Sequence, residues 1–196
     1  MNEIAILGNG RVGGNMAAAL TRAGHQVTVA DRAQGAAAAR TAQIVFNATP
    51  GSGSLERLAA LREELRGKIL VDVSNTTTDG PDGLPADLLY PGSSLAEQLQ
   101  ETLPETRVVK TLNTMLFSVM TAPATLTQPP TAFLSGEDPQ AKQTVHELLT
   151  DLGWRKEWIT DLGGIQTARA TEAAILFVPH VIRSSGFAPF ALSIAR

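Results

Sequence analysis

The chain has 196 residues and no cysteine, so disulfides, thiolate metal sites and cysteine nucleophiles play no part in its chemistry. Its three histidines, His25, His146 and His180, are too scattered to form a spaced metal motif, and no metal site is expected. Positive charge is scarce: 16 Lys and Arg stand against 19 Asp and Glu, without a basic cluster. The face that phosphate-backbone recognition requires is therefore missing, and nucleic acid is not an expected partner. Long apolar runs are absent too. The most apolar late stretch, Ala173 to Val178, is far shorter than the roughly 20 residues that span a bilayer. Met1-Asn2-Glu3-Ile4 has no basic leader; the expected location is cytoplasmic, with no membrane partner.

What remains suits a folded protein throughout. With 43% hydrophobic and 18% charged residues, the chain can bury enough apolar surface to offset its ordering entropy. Ile4-Ala5-Ile6-Leu7 reads as a strand covered on both faces, ended by Gly8. Arg11 to Ala23 has helical spacing in Val12, Met16, Ala19 and Leu20, with Gly24 as a stop. Gln26 to Asp31 and Gln43 to Thr49 read as the next strands, separated by at most a short Ala-rich helix. Leu55 to Leu65 reads as one amphipathic helix, Lys68 to Val73 as a strand, and Asn75 to Ser94 as a long loop able to cover a ligand. Beyond it the pattern predicts a helix over 94–102, strands over 107–112 and 131–134, and a helix capped by Asp138 that ends near Gly153. A short edge strand is expected over 157–160, and a last helix over 165–183, kinked at Pro179. The predicted fold is α/β: a Rossmann-type, doubly wound, mostly parallel sheet with a short C-terminal helical segment. Residues 1–164 would form this sheet domain, and 165–196 the segment completing its cleft or a dimer contact.

One motif carries chemistry. Gly8-Asn9-Gly10-Arg11-Val12-Gly13 follows an apolar strand and opens a helix, and Asp31 ends strand two 18 residues beyond Gly13, near the spacing of dinucleotide-binding proteins. Gly8 permits a tight turn, Gly10 lets backbone approach a pyrophosphate, and Gly13 allows close helix–strand packing. The helix N-terminus then offers free N–H groups to phosphates. A glycine-rich turn in an unrelated α/β protein is the competing explanation, which the flanking strand and helix disfavour. At strand two the signals oppose each other: Asp31 suits the ribose hydroxyls of NAD, whereas Arg32 suits the 2′-phosphate of NADP or else is solvated. Because ligands of open α/β sheets bind beyond the strands' carboxyl ends, Thr49, Pro50, Ser74 and Asn75 are expected against the cofactor, with Asn113 and Thr114 nearer the substrate.

Other residues have plainer readings. His25 reads as a surface turn residue, His146 as structural, and His180 as a hydrogen-bonded core or interface residue before a pocket ligand. Trp154 and Trp158 read as packing residues. Lys110 either touches a phosphate or carboxylate at the crevice or lies on an edge strand.

Several segments together resemble the predicted dinucleotide-binding oxidoreductases grouped with coenzyme F420-dependent NADP reductases. They are the glycine motif, Gly67-Lys68-Ile69-Leu70-Val71-Asp72-Val73-Ser74-Asn75, Val108-Val109-Lys110-Thr111-Leu112-Asn113-Thr114, Ser135-Gly136-Glu137-Asp138-Pro139, Asp161-Leu162-Gly163-Gly164-Ile165 and the tail around Gly186 to Phe190. The resemblance implies NADP(H) along the strand ends and a deazaflavin against the nicotinamide, in a cleft closed by the C-terminal segment. The chain departs from the family in having Asp31-Arg32 where Ser-Arg is common, and in a shortened stretch over 32–42.

The expected function is hydride transfer between NADP or NAD and a flat redox partner, coenzyme F420 or a flavin. No catalytic acid or base is named, because the cofactors carry the reactivity. Phe187 and Pro189 are expected to touch the substrate at the open edge of the nicotinamide pocket. The apolar run after Glu172 should be covered on a second side, and a homodimer is the expected solution. The alternative is a non-catalytic NAD(P)-binding or sensing protein.

Overall fold

The computed structural model describes residues 1–195; residue 196, the last of the expected C-terminal segment, lies outside them. Five parallel strands form the central sheet: β1 (Glu3–Leu7), β2 (Gln26–Ala30), β3 (Ile44–Asn47), β4 (Ile69–Asp72) and β7 (Arg107–Lys110), in spatial order β2-β1-β3-β4-β7. Alternation along each strand feeds two cores. Ile4 and Ile6 join Met16, Leu20, Phe46, Val71 and Leu148 on one face, while Ala5 and Leu7 join Ala39, Val45, Leu58, Leu70 and Leu99 on the other. This is why β3 and β4 read as continuous apolar runs: a parallel sheet flanked by helices leaves neither face wet.

The chain leaves β1 toward β2 on one side and reaches β3 on the other. The carboxyl end of β1 is thus the point where strand order reverses, the usual ligand crevice of such sheets. Helix α1 (Arg11–Arg22) fills the first crossover. The second uses only α2 (Gly35–Thr41), seven residues whose buried Ala38 and Ala39 let a short helix lie close to the sheet. Among the described residues no strand lies outside β2.

Four departures from the sequence pattern have physical causes. The amphipathic stretch before β4 is two helices, α3 (Ser54–Ala59) and α4 (Arg62–Leu65); the break at Leu61 keeps Leu58 and Leu65 in one core while Leu61 turns to a neighbouring cavity. The long loop contains an antiparallel hairpin, β5 (Thr77–Asp79) and β6 (Pro85–Leu88). Its residues are mostly exposed, so they carry no apolar alternation to betray it. The C-terminal helix is interrupted not at Pro179 but at a 3₁₀ turn over 174–176, between α7 (Ala168–Ala173) and α8 (Phe177–Ser185). Pro179 sits in the first turn of α8, where no intrahelical bond needs its missing N–H. Finally, His25 is buried: it accepts from the Asn2 N–H at 3.3 Å and shares a 3.0 Å hydrogen bond with Asp151. It ties the end of α1 to α6 (Pro139–Asp151) instead of lying on the surface.

The remaining elements follow the pattern. Ser94 caps α5 (Leu95–Thr102), and Asp138 caps α6 by accepting from the Ala141 N–H at 2.8 Å. β8 (Ala132–Leu134) pairs with β9 (Ile159–Asp161), the expected edge strand displaced by a residue or two. Trp154 is buried, its indole N–H donating to the Met120 carbonyl. His180, by contrast, is exposed on α8, neither in the core nor in a ligand pocket of the crevice. The tail returns to the sheet: the Leu116 N–H donates to Phe190 and the Leu192 N–H to Thr114. Among the described residues no helix is long and apolar enough to cross a membrane.

Candidate functional site

The three motif glycines are required for different reasons. Gly8 has φ +109°, and a Cβ there would lie 2.5 Å from the Ala48 carbonyl oxygen at the end of β3; a Cβ on Gly13 would lie 1.9 Å from the Gly8 carbonyl. These two fix the turn itself. At Gly10 a Cβ would meet no protein atom within 4 Å, so the fold does not demand glycine there, and the open space over it is the place a pyrophosphate takes. α1 starts immediately beyond, with no side chain capping it and no acid in its first turn. The backbone N–H groups of Arg11, Val12 and Gly13 therefore remain available to an anion, favoured by the helix dipole. Arg11 stacks its guanidinium 4.9 Å from the Phe117 ring centre. The backbone present fits a dinucleotide.

Beside the turn lies a cavity of about 640 Å³ whose rim carries Asn9, Asp31, Arg32, Thr49, Glu56 and Arg57. Leu7, Ala30, Leu58 and Leu61 provide apolar lining. A cavity thus exists where the adenosine is expected, despite the shortness of α2. Asp31, however, is already engaged: its Oδ1 accepts from the Ala33 N–H at 2.9 Å and the Gln34 N–H at 3.0 Å, forming the turn into α2. Arg32 is exposed beside it. Arg57, which the sequence does not single out, donates through one Nη to the Pro50 carbonyl at 2.5 Å, Ser54 Oγ at 3.1 Å and Thr49 Oγ1 at 3.2 Å.

Along the strand ends the predicted residues meet, but many of their polar atoms are occupied by one another. Thr49 donates to Asn47 Oδ1 at 2.6 Å, and Asn47 donates to Asp72 at 2.8 Å. Ser74 Oγ also donates to Asp72 at 2.8 Å, while Asn75 and Asn113 exchange hydrogen bonds at 2.7 and 2.9 Å. Lys110 ends β7, the strand at the far edge of the five-stranded sheet, as one of its two readings has it, but it does not face solvent there. It is buried, with Nζ 2.7 Å from Asp72, 2.8 Å from Glu172 and 2.5 Å from the Ser74 carbonyl. Burial alone would lower its pKa; Asp72 and Glu172 outweigh that and hold it above the ordinary lysine value. Glu172 also accepts from the Leu95 and Ala96 N–H groups at 3.0 and 3.2 Å, fastening the C-terminal helices to the start of α5. Neither Asn47, Asp72 nor Glu172 carries a sequence signal, because the partners of each are remote in the chain.

A second pocket, of about 200 Å³, lies between Asn113–Met115, the tail and the last helices, with Ile175, Val178 and Phe190 among its walls. Thr114 lines it, 6% exposed, and its hydroxyl has no hydrogen-bond partner. Phe187 and Pro189 do not line it. Both are exposed, Phe187 at 66%, because the chain is still out in solvent after Gly186 and comes back to the sheet only at Phe190.

A protein from Arthrobacter sp. FB24, provisionally described as an F420-dependent NADP-reductase, superposes on this chain with a TM-score of 0.91 and 38% identity, covering all of both chains. The chain belongs to that family. Within it, F420-dependent NADP reductase from Methanocaldococcus jannaschii is 28% identical over 139 residues, which are 69% of this chain and 60% of the relative. Metalloreductase STEAP3 from Rattus norvegicus is 29% identical over 186 residues, 87% of this chain and 36% of the relative. The chain therefore spans less than two thirds of the length of each of these two relatives. The ketopantoate reductase PanE/ApbA family model matches residues 4–78, from β1 into β5, the part holding the glycine turn and the first cavity. The F420-dependent NADP reductase family is one of NADP-dependent oxidoreductases, and the parallel sheet is its Rossmann core.

Proposed function

We propose that the protein binds NADP(H) over the Gly8–Gly13 turn and transfers hydride between its nicotinamide and a flat redox partner, coenzyme F420 or a flavin. The observation that carries this reading is the unobstructed space over Gly10 at the uncapped start of α1. The nicotinamide supplies the hydride chemistry when bound, so the protein's work is to orient two rings and exclude water. In this reading Gly8, Asn9, Gly10, Arg11, Val12 and Gly13 hold the pyrophosphate. Arg32 and Asp31 stand at the adenosine side, and Thr49, Pro50, Ser74 and Asn75 form the cleft floor. Asn113 and Thr114 flank the acceptor, with Phe190 taking the place first given to Phe187 and Pro189. Residues 1–164 form the dinucleotide half, and the segment from 165 closes the acceptor side.

Exposed Phe177 and Phe187 support a homodimer in which a second copy covers them. Stopped-flow reduction of F420 and flavins with NADPH and NADH tests the function. Turnover with one of these acceptors is the expected result; nucleotide binding without turnover across the panel would favour a sensing protein instead.

A further inference from the structure

Resting on the nucleotide reading above, we propose that Arg57 is a specificity-determining residue for the 2′-phosphate of NADP, standing across the first cavity from Arg32. The sheet order puts the end of β1, with its glycine turn, between the ends of β2 and β3. Arg32 follows β2 and Arg57 sits in the helix after β3, so the two cations flank the turn, and both line the same cavity.

Arg57 is prepared for an anion. Three neutral oxygens, from Pro50, Ser54 and Thr49, hold one edge of its guanidinium in place, so little side-chain freedom is left to lose on binding. Its Nε is buried and has no hydrogen-bond partner, so the protein does not fully satisfy this guanidinium. It forms no ion pair with a carboxylate among the described residues, although Glu56 lines the same cavity.

Asp31, the residue that would reject a 2′-phosphate, has one oxygen on the amides of Ala33 and Gln34. Through that oxygen it acts as the cap of the turn into α2, which fixes the carboxylate against the backbone. The chain thus reconciles an acid at the end of strand two with membership of an NADP-dependent family. The balance is tipped from the far wall, by a cation in a helix that the usual fingerprint does not include.

Calorimetric titration of the unmodified chain, Arg57→Gln and Arg57→Lys with NADPH and NADH tests this. Arg57→Gln should weaken NADPH by about tenfold or more, equivalent to roughly 1.4 kcal/mol, while NADH changes little. Arg57→Lys should retain part of the preference by keeping the charge, and its binding keeps the test open should the glutamine variant misfold. Equal losses for both nucleotides would put Arg57 on the shared adenine or pyrophosphate and overturn the assignment, as would no change in either. Failure of the unmodified chain to bind either nucleotide would sink the crevice reading itself.

Discussion

The molecule carries two sets of opposed charges, and they are used in opposite ways. At the rim of the first cavity Asp31, Arg32, Glu56 and Arg57 form no ion pair with one another and are half-exposed or exposed. Under the sheet's carboxyl edge Asp72, Lys110 and Glu172 are all buried, and Lys110 bridges the two carboxylates. A buried charge must be matched on the spot, because desolvation is costly and a lone partner is strongly destabilising. A hydrated charge is under no such compulsion and stays available to a ligand. The buried charges are thus consumed by the fold, whereas those at the cavity rim are left free of one another.

Breaking the buried set should have the largest effect. Lys110→Met leaves two carboxylates in a dry site, and a loss of about 3–5 kcal/mol of stability is expected, read by chemical denaturation. The raised pKa of Lys110 gives the same contrast a pH signature. A base held above its unfolded value stabilises fully below that value and loses the contribution as pH climbs through the folded one. Denaturation midpoints should therefore fall as pH rises beyond the ordinary lysine value of 10.5; a midpoint indifferent to alkali would count against the bridge.

The rim side should break without unfolding. Gly10→Val adds a side chain where no protein atom lies within 4 Å, so the melting temperature should hold while dinucleotide binding is abolished. Retained affinity in calorimetry would remove the pyrophosphate from that space. Truncation after Arg183 takes away Phe190 to Leu192, walls of the second pocket, and the tail's hydrogen bonds to Thr114, Leu116 and Thr131. Acceptor reduction should vanish with nucleotide affinity nearly unchanged; parallel loss of both would merge the two sites. The smallest effect is expected from Asp31→Ser. Serine is itself a good capping residue, so the turn into α2 should survive, and the NADPH-to-NADH affinity ratio should rise by less than about tenfold, under roughly 1.4 kcal/mol. A larger rise would show the carboxylate facing the ribose.

This contrast also explains what sequence reading reaches. The glycine turn, Asp138 at its cap and the parallel strands are local: their reasons lie within a few neighbouring residues, so periodicity and spacing expose them. Lys110 was ambiguous because its partners stand 38 and 62 positions away in Asp72 and Glu172. His25, bonded to Asp151 across 126 positions, was misplaced for the same reason. The β5–β6 hairpin escaped because its short strands, partly exposed and without apolar alternation, are held by backbone pairing, which leaves no mark on side-chain pattern. Phe187 and Phe190 differ by three positions, and no local rule says where an irregular tail turns back.

A sheet that ends at β2 has an open flank. Among the described residues one side of that strand has no neighbour, so its unpaired backbone groups form a template onto which a foreign strand can pair. β2 is only five residues long, with Gln26 and Thr28 outward and exposed between half-buried valines. Brevity and polar interruption are the means by which natural edges resist edge-to-edge aggregation, and here they guard the flank beside the first cavity.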